Sequence, residues 1–390
     1  MIPKLIRITT VPLSLEKLLG GQMGYMRQNG FDVYMVSSDS PKKTMLEEKE
    51  GCPFLVVNMT RTISPFKDLI SLFKLIGLLR KLKPEIVHTH TPKAGFIGML
   101  AALYCRVPVR LHTIAGLPLM EATGLQRSIL NYVERITNAC AKRVYPNSKK
   151  LQEFMIQEKL CKPDKLKVIG GGSSNGIDTE FFKLTESIAD TAAAFKVDNY
   201  IAPGDFVFVF IGRLVKDKGI EELVIAFKEL SSVYKNIKLI LVGPAEPELD
   251  PLTAECEREI NENPQIIAVG YQGDVRPYLA AANALVFPSY REGFPNVPMQ
   301  AGCFDLPSIV TDINGCNEII NNGENGLVVP VKNMQALKQA MQNLVDDDLL
   351  YSRLKANARK KILERYEQKK FWNLLLNEYN QQLDENKVIR

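Results

Sequence analysis

Short apolar runs of the length of a buried strand recur through this 390-residue chain and alternate with segments that can form helices. A continuous run rich in Val, Ile, Leu and Phe is typical of a strand covered on both faces, and strands separated by helices pair in parallel. The runs occur at 5–9, 31–36, 84–90, 109–113, 206–211, 238–242, 266–270, 284–288 and 308–312. The sequence therefore predicts an α/β protein built on parallel sheets.

Length and composition predict two domains, since the chain is long enough for about two domains of ordinary size. The stretch from Thr185 to Gly204 separates two series of strands and ends in a Pro-Gly pair. We therefore predict an N-terminal domain over 1–190 and a C-terminal domain over 191–368. A final helix over 369–390 is expected to return to the N-terminal domain.

Composition also argues against several classes of protein. The seven cysteines are scattered without CxxC spacing, which disfavours a disulfide framework or a zinc site and fits a reducing cytosol. Charged residues interrupt any apolar core within 1–20, so no signal peptide is predicted. No uncharged apolar run is long enough to span a membrane. The acidic run 346–348 is better explained as the start of a helix, where the dipole favours carboxylates, than as a metal site.

The net charge of +5 hides an asymmetry between the two halves of the chain. Residues 1–190 hold 27 Lys and Arg against 17 Asp and Glu (+10), and residues 191–390 hold 22 against 27 (−5). A basic half could face an anionic membrane or a phosphate-bearing substrate, or the asymmetry could be chance. The predicted helix 66–81 is both basic and apolar, which suits a membrane surface as well as a packed α/β layer.

The stretch after the apolar run 284–288 is predicted to bind an anion. It contains a turn, Ser289 to Pro295, and then a segment that can enter a helix at Val297. A strand, a turn and a helix start leave backbone N–H groups facing outward, and Glu292 on the turn can accept hydrogen bonds from hydroxyls. The pattern favours a sugar-nucleotide pocket. An ordinary strand–loop–helix joint with an exposed Glu remains the alternative.

A second loop has the composition of a diphosphate site. Gly212 follows the strand 206–211, and Arg213 and Lys218 precede a helix that starts near Glu221. Two cations beside a helix start suit a diphosphate, although cations in surface loops are often simply solvated.

All three histidines lie within 25 residues, on two neighbouring strands. His88 is in mid-strand and is expected to be a core residue. His90 and His112 end their strands, where doubly wound sheets bind ligands, and are the better candidates for substrate contact. A zinc site formed by the three is not favoured, because no acidic or Cys partner has ligand spacing nearby. The first β–α–β segment lacks GxGxxG, which disfavours dinucleotide binding, and Ser14 is the predicted N-cap of a helix that ends near Asn29.

Several of these segments together resemble the retaining, GT-B-fold glycosyltransferases of family 4, over nearly the whole chain. The resemblance rests on Gly212-Arg213 with Lys218-Gly219, on Ser289 with Glu292-Gly293-Phe294-Pro295-Asn296, on Leu306-Pro307 with Thr311-Asp312, Gly315 and Glu318, and on the strands that contain His88-Thr89-His90 and His112. The strings 89–95 and 172–178 are most similar to bacterial enzymes that build capsule, O-antigen or other glycan repeat units on a lipid carrier. The resemblance implies two Rossmann-like domains facing across a cleft, with C-terminal helices.

The resemblance also implies roles for the residues singled out above. Arg213 and Lys218 would neutralise the leaving nucleotide diphosphate, Glu292 would orient the donor sugar, and His112 would contact that sugar near the reacting carbon. The remaining donor-binding positions would be Gly212, Gly293, Phe294, Pro295, Asn296, Val297 and Gln300. Acceptor-side candidates are His90, Lys93 and Ser14. No metal, no cofactor and no nucleic acid is expected to take part.

Two departures from the family pattern stand out. The E-x7-E motif places its second Glu, the one assigned to the ribose hydroxyls, at position 300, where this chain has Gln. Gln keeps one acceptor oxygen, so nucleotide binding with changed strength or preference is expected. The family's glycine pair after the first strand would fall near Leu13-Ser14, whereas Gly20-Gly21 lie within the predicted helix, so that role is not transferred to them.

The resulting hypothesis is a cytoplasmic transferase, peripheral on the inner face of the membrane. It would move a sugar from a nucleotide donor, with a UDP-sugar expected, to a polyprenyl-diphosphate-linked sugar, with retention and without a metal. Its partners would be the nucleotide sugar, the lipid-linked acceptor and an anionic membrane surface. A nucleotide-sugar 2-epimerase of similar fold and a non-catalytic binding subunit remain the alternatives, and Gln300 is the feature that favours the latter.

Overall fold

Two six-stranded parallel sheets form the frame of the protein. The structure is a computed structural model that describes residues 2–60, 62, 64–117, 119, 122–246, 248 and 250–388. It divides into a first unit, made of the chain up to Gly176 together with the chain from Gln368, and a second unit, Ile177–Glu367.

The first unit starts with alternating strands and helices. These are β1 Lys4–Ile8, α1 Pro12–Leu18, α2 Gln22–Gln28, β2 Asp32–Ser37, α3 Lys43–Glu50, β3 Phe54–Val56, α4 Pro65–Leu82, β4 Ile86–His90, α5 Pro92–Tyr104, β5 Val109–Ile114, α6 Gly124–Cys140, β6 Arg143–Pro146 and α7 Lys149–Gln157. The strand order is β3-β2-β1-β4-β5-β6, so the direction of winding reverses between β1 and β4.

The second unit repeats this design. It contains α8 Glu186–Asp198, β7 Phe206–Ile211, α9 Ile220–Val233, β8 Ile237–Val242, α10 Ala254–Glu262, β9 Ile266–Gly270, α11 Arg276–Ala281, β10 Ala284–Phe287, α12 Asn296–Cys303, β11 Ser308–Thr311, α13 Cys316–Ile319, β12 Gly326–Val329, α14 Met334–Asp346 and α15 Asp348–Arg365. The order β12-β11-β10-β7-β8-β9 reverses between β7 and β10. The last helix, α16 Gln368–Val388, belongs to the first unit.

Both faces of the first sheet are covered, because successive side chains of a strand point to opposite faces. Ile6 of β1 packs in a core shared with α4 and α5. Its neighbour Leu5 packs in a separate core with α2 and α16. Burial on both faces explains why neighbouring strand residues such as Leu5 and Ile6 are both apolar rather than alternating with polar residues.

The start of the first unit differs from the prediction of a single helix over residues 14–29. The segment forms two helices, α1 and α2, and α1 begins at Pro12, so Ser14 lies within its first turn and the predicted N-cap was wrong. Gly21 has a φ of +82° and interrupts the helix, and a Cβ there would lie 2.6 Å from Cη2 of Trp372. The glycine is needed both for the left-handed backbone and for the close approach of that indole ring.

Other differences concern where one helix begins and which helices were not predicted. Helix α5 begins at Pro92 rather than near Phe96, since proline is well suited to the first helical position. Helices α3, α8 and α10 were not predicted. The predicted boundary at 190–191 falls inside α8, which packs against α11 of the second unit and buries Ile188 and Ala192 there. The division between the units lies at 176–177 instead.

Within the part of the chain that the structure describes, no helix is both long enough and apolar enough to cross a bilayer.

Candidate functional site

The candidate donor site of the second unit lies where its strand order reverses. Strands β7 and β10 are neighbours, with β8 and β9 beyond β7 and with β11 and β12 beyond β10. In open α/β sheets, ligands bind outside the carboxyl ends of the strands at such a reversal. The loops that follow β7 and β10 carry the predicted residues Lys218 and Glu292, so the fold brings two segments far apart in sequence to one edge.

Lys218 and Glu292 form an ion pair at this edge. Nζ of Lys218 donates to Oε1 of Glu292 at 2.5 Å, and each side chain is 16% exposed. Gly219, with a φ of +71°, allows the contact, because a Cβ there would overlap the carbonyl oxygen of Pro288 at the end of β10. The N–H of Tyr290 also donates to the carbonyl oxygen of Asp217 at 2.9 Å, which ties the two loops together.

Arg213 is the second cation of the site, and carboxylates hold it. Its Nη1 donates to Oε2 of Glu246, in the loop after β8, at 2.8 Å, and its Nη2 lies 4.0 Å from Oδ2 of Asp217. The hydrogen bond to Glu246 raises the pKa of Arg213. The side chain of Arg213 is 42% exposed, so it is not covered by packed neighbours.

The turn before α12 is fixed from the neighbouring strand. Nδ2 of Asn314, in the loop after β11, donates to the carbonyl oxygen of Gly293 at 2.6 Å. Gly315, with a φ of +77°, lies directly behind, since a Cβ there would be 2.7 Å from the same oxygen. Pro295 is the N-cap of α12, and an α-helix leaves its first N–H groups without intrahelical partners.

The remaining predicted donor residues lie on or near this helix. Phe294 packs its ring 5.6 Å from that of Tyr366. Asn296 and Val297 form the first turn of α12, where their N–H groups are available to a ligand. Gln300 lies in the second turn, is half-buried, and has no side-chain hydrogen bond to any residue that the structure describes. Gly212 ends β7 at the same edge of the sheet.

The arrangement suits a ligand with concentrated negative charge and a polar body. Two cations and the N–H groups of a helix start lie around the reversal point, and both act on phosphate oxygens. Glu292 adds an acceptor for hydroxyl groups. The carboxylates of Glu292 and Glu246, which pair with Lys218 and Arg213, hold these two cations at the edge of the sheet where an anionic ligand could also bind them.

The first unit has a comparable reversal point, between β1 and β4. The loops after these strands are joined by the hydroxyls of Thr10 and Thr91, whose Oγ1 atoms are 2.8 Å apart, and the N–H of Thr10 donates to Thr91 Oγ1 at 3.1 Å. Thr91 has a φ of +71°, which is costly for a β-branched residue and is found where the surroundings impose it. These two threonines were not predicted as site residues, although the strand–loop–helix spacing points to their position.

The three histidines lie close together but differ in their partners. His88 is a core residue, as predicted: Nδ1 is 2.6 Å from the hydroxyl of Tyr379, and Nε2 is 2.8 Å from Oγ1 of Thr113. His90 stacks on it with ring centroids 4.3 Å apart, and its buried Nε2 has no hydrogen-bond partner among the described residues. Burial lowers the pKa values of both rings well below the ordinary range, so both are neutral at pH 7.

His112 retains one ring nitrogen for a ligand. Its Nδ1 is 2.8 Å from Oγ1 of Thr89, whereas no described residue hydrogen-bonds its Nε2. Burial lowers the pKa of His112 to about 4, so it can offer a substrate a hydrogen bond but no charge at neutral pH. The ring lies against the backbone of Gly95, where a Cβ would overlap Cε1 and come within 2.9 Å of Nε2.

The other two acceptor-side candidates, Lys93 and Ser14, lie in different helices of the first unit. Lys93, in the first turn of α5, pairs with Oδ2 of Asp68 in α4 at 2.5 Å. Ser14 is half-buried in α1, and its backbone N–H donates to the carbonyl oxygen of Val11. Lys93 follows His90 by three residues at the same edge of the sheet.

Comparison with known proteins identifies the family. Residues 193–361 match the family model "Glycosyl transferases group 1", and residues 18–172 match "Glycosyl transferase 4-like domain". The capsular polysaccharide biosynthesis glycosyltransferase CapM of Staphylococcus aureus is 33% identical to this chain over 382 residues, which is 98% of each chain. The chain belongs to the GT-B glycosyltransferases of family 4.

Other relatives of this glycosyltransferase carry informative names. The UDP-Gal:alpha-D-GlcNAc-diphosphoundecaprenol alpha-1,3-galactosyltransferase of Escherichia coli is 28% identical over 367 residues, covering 93% of this chain and 90% of the relative. Among solved structures, Anabaena HepE in complex with UDP aligns with a TM-score of 0.81 at 18% identity, covering 98% of this chain and 100% of that one. At this identity the likeness shows the fold, and it confirms the predicted class of two Rossmann-like α/β domains.

Proposed function

We propose that this glycosyltransferase moves a hexosyl or N-acetylhexosaminyl group from a UDP-sugar to a polyprenyl-diphosphate-linked sugar, in the synthesis of a bacterial capsule or another surface glycan. The name of the E. coli relative specifies a UDP-sugar donor and a diphosphoundecaprenol-linked acceptor. A Campylobacter jejuni relative, 26% identical over 322 residues, is named for transfer to a diphospho-undecaprenol-linked sugar. The transferase would work at the cytoplasmic face of an anionic membrane, where such an acceptor is anchored.

The observation that carries the proposal is the Lys218–Glu292 pair at the β7–β10 reversal. In our proposal the diphosphate of the donor lies between Lys218, Arg213 and the N–H groups of Asn296 and Val297. Charge that develops on the departing diphosphate is stabilised there as the bond to the anomeric carbon loosens. Once the anion occupies Lys218, the carboxylate of Glu292 is available to the hydroxyls of the sugar.

We further propose that the reaction retains the anomeric configuration and requires no metal. The acceptor hydroxyl attacks the oxocarbenium-like carbon on the face that the diphosphate leaves, and its proton passes to a diphosphate oxygen. The two cations and the helix amides then supply the stabilisation that a metal ion would otherwise provide. His112 would contact the donor sugar through Nε2, and His90 and Lys93 would lie on the acceptor side. The α-1,3 linkages in the names of the two relatives are consistent with retention from an α-linked UDP-sugar.

Nucleotide-sugar turnover tests the proposal. The full chain is incubated with UDP-, GDP-, ADP- and dTDP-sugars, with and without diphosphoundecaprenol-linked sugars, in the presence of EDTA, and released nucleoside diphosphate is measured. We expect release that requires both a UDP-sugar and the lipid, and an α-linked product. Replacing Lys218 or Glu292 with Ala should lower kcat about 100-fold or more, since each loses one charged group of the site.

Lys216→Ala is the matched control, because Lys216 lies in the same turn as Lys218 and is 52% exposed. It should retain nearly full activity. Turnover of the donor without any acceptor, giving an epimerised sugar nucleotide, would establish the 2-epimerase instead. Nucleotide binding without turnover of any donor and acceptor would favour a binding subunit. Loss of activity in EDTA that Mg²⁺ restores would refute the metal-free mechanism.

A further inference from the structure

Helix α4 exposes a stripe of large apolar side chains. Phe66, Leu69, Ile70 and Phe73 are 84%, 50%, 56% and 64% exposed. Their spacing of i, i+3, i+4 and i+7 places them on one face of the helix. The opposite face, which includes Leu75, is buried in the core beneath the helix. We call the four exposed residues the α4 stripe.

Helix α6 exposes a second stripe with the same geometry. Leu125, Ile129 and Tyr132 are 78%, 45% and 66% exposed, at i, i+4 and i+7. Both α4 and α6 pack against α5, so they belong to one layer on one face of the sheet. We call these three residues the α6 stripe. Contiguous exposed apolar surface on a helical layer marks an interaction site, unlike single scattered apolar residues.

The two stripes lie towards the edge of the sheet that carries the candidate acceptor-side residues. A helix that connects parallel strands runs antiparallel to them, so its first half lies beside their carboxyl ends. The α4 and α6 stripes occupy the first halves of their helices. The ion pair between Asp68 of α4 and Lys93 of α5 supports the placement, because Lys93 lies three residues after His90, where the strand ends.

The charge around the stripes is positive. Lys67 and Lys74 flank the α4 stripe on the same helix, and both are exposed. The first unit as a whole carries 30 Lys and Arg against 16 Asp and Glu (+14), whereas the second carries 19 against 28 (−9). Helices that combine an apolar stripe with flanking lysines bind at the interface of anionic bilayers. Two copies of this face would repel each other, so charge disfavours a dimer through it.

We propose that the α4 and α6 stripes form the surface by which this transferase docks on an anionic lipid bilayer. The apolar side chains enter the interface, and Lys67 and Lys74 contact the anionic headgroups. The biological role of this docking rests on the proposed function. Docking in this orientation brings His90 and Lys93, at the carboxyl ends of the strands, beside the membrane in which a lipid-linked acceptor is anchored.

Vesicle flotation of the full-length protein tests the surface. The probes are vesicles of phosphatidylcholine and vesicles of phosphatidylcholine mixed with phosphatidylglycerol. The test variant is Phe66→Ser/Ile70→Ser. The control is Leu349→Ser, because Leu349 is 86% exposed on α15 of the second unit. We expect binding to the mixed vesicles that weakens about tenfold or more in the double variant and is unchanged in the control. Replacing both Lys67 and Lys74 with Ala should weaken binding to the mixed vesicles by about 30-fold.

The proposal is overturned if the double variant binds mixed vesicles as well as the wild type, or if the wild type binds neither kind of vesicle. It is also overturned if sedimentation shows a dimer that the double variant dissociates, since a second copy would then cover the stripes. Thermal unfolding of the variants at the wild-type temperature verifies their fold.

Transfer assays separate this proposal from the proposed function. We expect the double variant to lose transfer to an acceptor embedded in mixed vesicles but to keep transfer to a short-chain, water-soluble analogue. Equal activity of variant and wild type on both acceptors rejects the docking surface and leaves the transferase proposal standing. Failure of the wild type on both acceptors rejects the transferase proposal, while flotation still decides the docking surface.

Discussion

At the scale of single residues, the three histidines are all buried and differ in their hydrogen-bond partners. Both ring nitrogens of His88 are hydrogen-bonded, one to Tyr379 and the other to Thr113, so neither is available to a substrate. His112 keeps Nε2 without a described partner, and its ring is held by Thr89 on one side and by Gly95 on the other. The position of the His112 ring therefore depends on a glycine that is not part of the strand.

Gly95→Ala is predicted to impair catalysis with little loss of fold. The added Cβ overlaps Cε1 of His112, so the ring must move away from its present position. We propose above that His112 contacts the donor sugar, and a shift of about 1 Å in a group with that role costs about 100-fold in rate. We expect kcat of the transfer reaction to fall by about that factor, while KM for the donor changes less.

Gly77→Ala in α4 is the matched control for Gly95→Ala. Gly77 is also in a helix, and a Cβ there would meet no atom within 4 Å. The substitution should leave kcat unchanged and raise the free energy of unfolding by about 0.5–1 kcal/mol, as expected for Gly→Ala in a helix. Unchanged kcat in Gly95→Ala would show that the position of the His112 ring is irrelevant to the reaction.

At the scale of secondary-structure elements, α6 buries a carboxyl group in an apolar layer. Glu134 is 6% exposed, and its Oε2 has no hydrogen-bond partner among the described residues. Burial raises the pKa of Glu134 to about 7. A raised pKa in the folded state contributes stability that is complete below the unfolded value of about 4.5 and is lost as pH rises through 7.

Glu134→Gln should therefore stabilise the protein at alkaline pH. Gln resembles the protonated carboxyl group and cannot ionise, so the variant avoids the cost of a buried charge. We expect it to match the wild type near pH 4.5 and to exceed its free energy of unfolding by about 3 kcal/mol at pH 8. Denaturant unfolding at several pH values measures this, with the exposed Glu153→Gln as control. Equal stability of variant and wild type at pH 8 would show that ionisation of Glu134 does not destabilise the folded protein.

At the scale of the whole molecule, the end of the chain completes the unit with which the chain begins. Helix α16 buries Phe371, Leu375 and Tyr379 in the core beside β1. The hydroxyl of Tyr379 accepts from Nη1 of buried Arg7 at 2.6 Å and lies beside His88. Glu378 accepts from Lys167 and from the hydroxyl of Tyr145.

Removing residues 368–390 is predicted to unfold the first unit selectively. The loss of three large buried side chains alone amounts to about 5–9 kcal/mol, which is comparable with the whole stability of a domain. We expect the truncated chain to lose one cooperative transition in thermal unfolding and to be cut by protease within the first 176 residues.

The second unit supplies the control for this truncation. A fragment of residues 177–367 contains the whole of its own core and should fold alone. Tyr379→Phe in the full chain should be milder, since it removes only the hydroxyl that Arg7 and His88 contact, at a cost of about 1–3 kcal/mol. A truncated chain that keeps both transitions would show that α16 is not needed by the first unit.

The strands were largely predictable, whereas several helices were not. Continuous apolar runs gave 206–211 and 266–270 with the observed bounds. Helices α3 and α10 bury few side chains, Leu46 and Glu50 in the former and Cys256 in the latter, so they contain few apolar residues from which a helix could be predicted. The break between α1 and α2 depends on Trp372, some 350 residues away, which no local pattern contains.

The candidate donor site was predictable in its parts but not in its assembly. Lys218 and Glu292 each follow a strand and precede a helix, and that local pattern is visible in the sequence. Their contact at 2.5 Å, and the contact of Arg213 with Glu246, depend on which strands are neighbours. The contact between Thr10 and Thr91 in the first unit was not predicted for the same reason, since only the adjacency of β1 and β4 joins them.

The sequence by itself determined the alternation of strands and helices and the placement of charged and polar residues at strand ends, because apolar periodicity and turn residues act over a few neighbours. The tertiary structure decided which strand ends meet, where the winding reverses, and which histidine nitrogens have no hydrogen-bond partner among the described residues. These features arise from pairing and burial between residues far apart in the chain, and a ligand site in an α/β sheet is made at such points of convergence.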